Sequence, residues 1–195
     1  MELETRACNQ AVIAEERADG DEKIKTIVGY AAVFDTLSEN LGGFREKIDK
    51  DAFDAVMGDD VRAVFNHDPS FILGRTTSGT LKISADDIGL RYEVEPPDTQ
   101  AANDLLISIA RGDVTQSSFS FQVNEDDWQE DDDGRVIRTI KSFAKLRDVS
   151  PVTFPAYSDA TVGVRSLEAW KAKSQDFVKK PKKVLYLELD LLDKQ

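Results

Sequence analysis

Gln116-Ser117-Ser118-Phe119-Ser120-Phe121-Gln122-Val123 decides how this chain is read. Ser118, Ser120 and Gln122 alternate with Phe119, Phe121 and Val123, and a period of two marks a strand with one apolar face. Ser117 and Ser118 are neighbours, so they lie on opposite faces of that strand. Upstream, Asp98 or Thr99 can cap a helix whose inner face is Ala102, Leu105, Leu106 and Ile109, and Gly112 can end it. Downstream, the acidic residues 124–133 are expected as a long hairpin loop closing at Asp133-Gly134. Val136 to Lys141 then returns. Leu146 to Thr153 reads as a further strand, which Pro151 is expected to keep at a sheet edge or bulge.

Further toward the N-terminus, Ile24 to Phe34 is β-branched and aromatic and reads as a strand. Asn40-Leu41-Gly42-Gly43 signals a turn, and Asp49 to Met57 a short helix burying Ala52, Phe53 and Val56. Val61 to Asn66 is a strand running into His67-Asp68-Pro69. Leu81 to Ser84 and Gly89 to Glu95 pair as a hairpin around Asp86-Asp87. Many short strands with two helices between them predict an α+β fold: a small, mostly antiparallel β-barrel or curled sheet with helices packed outside. Residues 1–22 are polar and are expected to form a loose arm. Residues 23–166 form the expected domain. Residues 167–195 shift abruptly to lysine and are read either as a tail, removed or used for recruitment, or as an ordinary terminal element packed on the domain. Leu185, Leu187, Leu189 and Leu191 alternate as in a short strand, while Leu185, Leu189 and Leu192 would also serve a helix.

The 195 residues carry a net charge of −12, so a phosphate backbone is a poor partner. The longest uncharged apolar run, Ile27 to Phe34, is far short of the roughly 20 residues that a membrane-spanning helix needs. No secretory signal is expected at Met1 to Arg6. The single cysteine, Cys8, excludes an internal disulfide and fits a reducing compartment. With one His and one Cys, a zinc site lacks ligands. A calcium loop around Asp131, Asp133 and Gly134 fails at both ends, where Gln129 and Ile140 stand. There is no G-x-S-x-G elbow and no P-loop. His67 is the one histidine, so any histidine-assisted serine chemistry must use it. Thirteen serines leave the nucleophile open on composition alone, and Ser118 read only from its strand is a solvent-face serine.

The blocks Gly29 to Phe34, Phe65 to Pro69, Arg111 to Phe121 and Leu146 to Ser150 stand in that order, and together they resemble the phage prohead protease family. Gly29-Tyr30-Ala31-Ala32-Val33-Phe34, with Leu41 to Glu46 and Asp51-Ala52-Phe53, is similar to its opening. Phe65-Asn66-His67-Asp68-Pro69 with Leu73-Gly74-Arg75 resembles its histidine motif, and Arg111 to Phe121 its serine motif. Leu146-Arg147-Asp148-Val149-Ser150 with Phe154-Pro155-Ala156-Tyr157 resembles its third block. The likeness spans roughly residues 24–166. It implies a fold similar to the herpesvirus assemblin proteases, a β-barrel ringed by helices with the nucleophile on a barrel strand. It implies Ser118 as nucleophile, since Phe119 and Phe121 then take the apolar and Phe positions that follow. Ser117 departs from a position that is usually apolar, and Ser120 from one where glycine is common. His67 is the implied base. The assemblins orient theirs with a second histidine, which this chain lacks, so a carboxylate is expected there: Asp148, with Asp68 as alternative.

The resemblance further implies a serine endopeptidase without cofactor, acting in the host cytoplasm inside the immature phage capsid. Its implied substrates are the scaffolding segment of the major capsid protein and itself, and it leaves homo-oligomerisation open. Two other classes stand beside it: a non-catalytic capsid assembly or scaffold protein retaining the fold, and a carboxylate-based hydrolase.

Overall fold

The computed structural model describes residues 2–19, 22–154 and 160–179. Ten strands and two helices follow in the order β1 Glu4–Cys8, β2 Ile13–Asp19, β3 Glu22–Val33, β4 Arg45–Ile48, β5 Arg62–Phe65, β6 Asp68–Arg75, β7 Leu81–Ala85, β8 Gly89–Val94, α1 Gln100–Arg111, β9 Gln116–Glu130, β10 Val136–Val152 and α2 Ala160–Lys179. This is an α+β fold of mostly antiparallel strands. One sheet runs β1-β9-β10-β5-β6, with β4 also on β10, and the other runs β2-β3-β8-β7. The α1 signals act as expected: Thr99 accepts from the Ala102 amide, and Gly112 ends the helix at φ 81°.

The closed barrel is not found among the described residues. β3 pairs with β2 along its first half and with β8 along its second, and no ladder joins its sheet to the six-stranded one. The sheets meet face to face instead. Phe53, Phe119, Phe121 and Phe143 are buried between them in one aromatic cluster, with Phe53 and Phe143 4.4 Å apart. The Tyr92 and Ser117 hydroxyls hydrogen-bond across the core at 2.8 Å. Gly29 makes room for them, since a Cβ there would lie 2.9 Å from the Tyr92 hydroxyl.

Several local expectations are corrected. The supposed loose arm contains β1, paired with β9, and β2, paired with β3. Its polar residues are buried there because they neutralise one another. Arg6 binds Glu46 at 2.8 Å and Glu4 at 2.6 Å, while Arg138 binds Glu4 and Glu46 at 2.8 and 2.9 Å. The helix at 49–57 shrinks to a 3₁₀ turn, Asp54–Val56, although Ala52, Phe53 and Val56 are buried as expected. The acidic stretch is not a loop until Asp131, because β9 continues to Glu130. Its side chains are accommodated at the surface and by Arg138, which holds Asp126 at 2.7 Å. Pro151 does not mark an edge strand, because β10 lies inside the sheet. Its pairing with β5 ends at Val149, so proline's missing N–H costs no ladder bond there, and the Pro151 carbonyl accepts from the Asn66 amide.

The charged cluster yields a stability prediction. Burial pushes the Glu4 carboxyl up, but Arg138 and Arg6 outweigh that and hold it below its ordinary value. A depressed carboxylate stabilises the fold above its ordinary pKa, and that contribution is lost as pH falls through the folded value. Arg138→Leu leaves two buried carboxylates short of a partner and is expected to cost about 3–5 kcal/mol in denaturant unfolding.

α2 crosses the expected boundary at Ser166. Gly163 lies against the Phe44 ring, where a Cβ would come within 2.6 Å. Leu167 is buried with Leu41, Phe44 and Val136, and Trp170 stacks on Trp128 at 6.1 Å. The spacing 163, 167, 170 puts these on one helix face. Ending the chain after Ser166 is therefore expected to lower the thermal midpoint, with Leu167→Ala alone costing about 2–5 kcal/mol. The leucine-rich end at 185–192 lies outside the described residues.

Candidate active site

Strand register builds the floor of the site. In the antiparallel pair of β9 and β10, Ser118 lies opposite Ser150 and Ser120 opposite Asp148. Residues two apart share a face. Thus Ser118, Ser120, Asp148 and Ser150 form one polar patch, while Phe119 and Phe121 turn into the core and Ser117 toward Tyr92. The patch faces away from the core, which is where four polar side chains on adjacent strands can be satisfied.

His67 is brought over this patch by the turn between β5 and β6. Phe65 pairs with Asp68, leaving Asn66 and His67 as a two-residue connection with φ of 53° and 58°. Positive φ at both positions is what a primed hairpin turn requires. Asn tolerates it readily, whereas His there is strained, a cost often met at functional positions. Asn66 is fixed from both sides: its amide donates to the Pro151 carbonyl, and its side-chain oxygen accepts from the Thr153 amide at 2.8 Å.

The imidazole then spans the patch. Nδ1 lies 2.5 Å from Asp148 Oδ1, and Nε2 lies 2.7 Å from Ser118 Oγ. Ser120 and Ser150 place hydroxyls 3.1 and 3.3 Å from Nδ1, and Ser150 donates to Asp148 Oδ1 at 3.1 Å. The His67 side chain is 20% exposed and that of Asp148 11%. A carboxylate on one ring nitrogen and a hydroxyl on the other is the arrangement by which an imidazole can take a proton from an alcohol.

The structure brings three of the named residues together and separates two. Asp68 is exposed and turned to its own hairpin, where Oδ1 accepts from the Ser70 amide and hydroxyl at 2.8 and 2.6 Å. Those two bonds, the hydroxyl's first, hold its carboxyl below the usual value. Ser117 is buried on the far face. Ser120 and Ser150 were not named as site residues from the sequence, yet each stands two residues from one that was, so strand alternation places Ser120 on the face of Ser118 and Ser150 on that of Asp148. Beside His67 runs a groove of about 510 Å³, lined among others by Leu3, Thr5, Arg62, Pro69, Ile72 and Arg147.

A family model described as caudovirus prohead serine protease matches residues 11–174. The chain belongs to that family. The match begins before β2 and ends within α2, so it takes in every strand but β1 and every residue of the His67 cluster. Among solved structures, the bacteriophage T4 capsid assembly protease, gp21, is similar at 12% identity and a TM-score of 0.49, covering 80% of this chain and all of that one. No curated protein sequence matches the chain.

Proposed function

We propose that this prohead-family protease is a working serine endopeptidase of capsid maturation, with Ser118 as nucleophile, His67 as base and Asp148 as the group that orients it. The observation that carries the reading is the continuous chain from Asp148 Oδ1 through both His67 nitrogens to Ser118 Oγ. Ser118 Oγ bonds to the carbonyl carbon of a peptide as its proton passes to Nε2. The tetrahedral intermediate collapses by breaking the C–N bond, and Nε2 returns the proton to the leaving amine. Water, deprotonated by the same nitrogen, then hydrolyses the acyl ester. Asp148, accepting from Nδ1–H, keeps the lone pair on Nε2 and offsets the charge the ring gains. Ser150 and Ser120 steady the same pair.

Family membership directs the substrate reading. The targets are the scaffolding segment of the capsid protein and the chain itself, acted on inside the immature capsid in the host cell. Co-expression with the phage's own capsid protein tests this. Shortened capsid protein with wild type, and full-length capsid protein with Ser118→Ala, is the expected pair of results. Full-length product in both would favour a non-catalytic assembly role, the second reading that family membership leaves standing.

A further inference from the structure

Ser118 is completely buried, which is unexpected for a group that must meet a polypeptide. β10 flanks it on one side, with Ser150 opposite, and His67 covers its hydroxyl. The remaining side is taken by β1, whose Ala7 stands opposite Ser118 in antiparallel register. Ser118 Oγ donates to the carbonyl of Arg6 at 2.9 Å. A hydroxyl has one proton, and given to Arg6 it is withheld from Nε2. An attacked carbonyl carbon must come within about 3–3.5 Å of the oxygen, and the place from which it could do so already holds a peptide.

Resting on the catalytic reading above, we propose that the β9 edge from Ser117 to Phe121 is the docking edge for an extended substrate segment, and that β1 is this chain's own placeholder in it. The occupant adds as a strand antiparallel to β9, as β1 does, so backbone hydrogen bonds supply much of the binding. Alternate side chains enter the groove beside His67, where Leu3 and Thr5 now sit, while the others meet Glu46 and Arg138. Glu4 and Arg6 latch the placeholder to that charged pair, and activity requires the latch to open.

Native Cys8 offers a test. It lies directly opposite Ser117, both side chains are buried, and Ser117 stands on the face away from the catalytic groups. Ser117→Cys is therefore placed to form a cross-strand disulfide that pins β1. The readout is the rate at which a fluorophosphonate labels Ser118. Expected are a drop of at least tenfold in the oxidised variant with recovery on reduction, a rise of at least tenfold on deleting residues 2–9, and slowing of the deleted chain by a peptide of residues 2–9. Where the deletion does not fold, the oxidised and reduced forms of Ser117→Cys decide alone. Equal labelling with β1 pinned and free overturns the proposal and leaves the nucleophile standing. Absence of labelling in every form removes both.

Discussion

Ser118→Ala is expected to lower peptide-bond turnover by about 10⁴-fold or more while leaving the unfolding midpoint close to wild type. The size follows from the role: without the nucleophile, only binding and polarisation of the substrate remain. The unchanged stability follows from the contacts. Ser118 Oγ bonds to the part-exposed His67 and to a backbone carbonyl of β1, an edge strand, and losing one hydroxyl there opens no cavity. Ser117→Ala should behave in the opposite manner. It removes a buried partner of the Tyr92 hydroxyl, an expected cost of about 1–3 kcal/mol, and leaves turnover by the folded fraction intact. Kinetics on both alanine variants, paired with denaturant unfolding, separate the two neighbours.

Asp148→Asn is expected to cost about 10³- to 10⁴-fold in turnover, less than loss of the nucleophile. An amide in place of the carboxylate cannot fix a proton on Nδ1 or offset the charge the ring acquires, although Ser120 and Ser150 still hold the imidazole in position. Asp68→Asn should stay within a few-fold of wild type, because Asp68 serves Ser70 in the hairpin. A profile in which Asp68→Asn is inactive and Asp148→Asn active would reassign the third role.

What the sequence displays and what it conceals follow from range. Period two at Ser118–Val123 and the caps of α1 are local, and both give the observed elements. The β-rich α+β class follows from them. Sheet partnership is not local. Nothing in Glu4-Thr5-Arg6 announces a buried strand, because its burial depends on Glu46 and Arg138, which lie far along the chain. The same holds for Leu167 and Trp170, whose apolar neighbours Phe44 and Trp128 come from β4's approach and β9. Closure into a barrel could not be judged either, since it depends on which edge strands find each other. The site was partly legible. His67 stood out by being alone, and Ser118 and Asp148 through the family's motifs. Alternation ties Ser120 to Ser118 and Ser150 to Asp148, but joining the two pairs into one patch needed the register of β9 on β10, which puts 120 against 148 and 118 against 150.

The most direct measurement is peptide mapping by mass spectrometry after prolonged exposure to a serine-directed fluorophosphonate, applied to wild type and to Asp148→Asn. The account predicts one adduct, on Ser118, formed far more slowly when Asp148 is replaced. An adduct on Ser117 or another serine, or labelling of Ser118 at the same rate in both proteins, would contradict it.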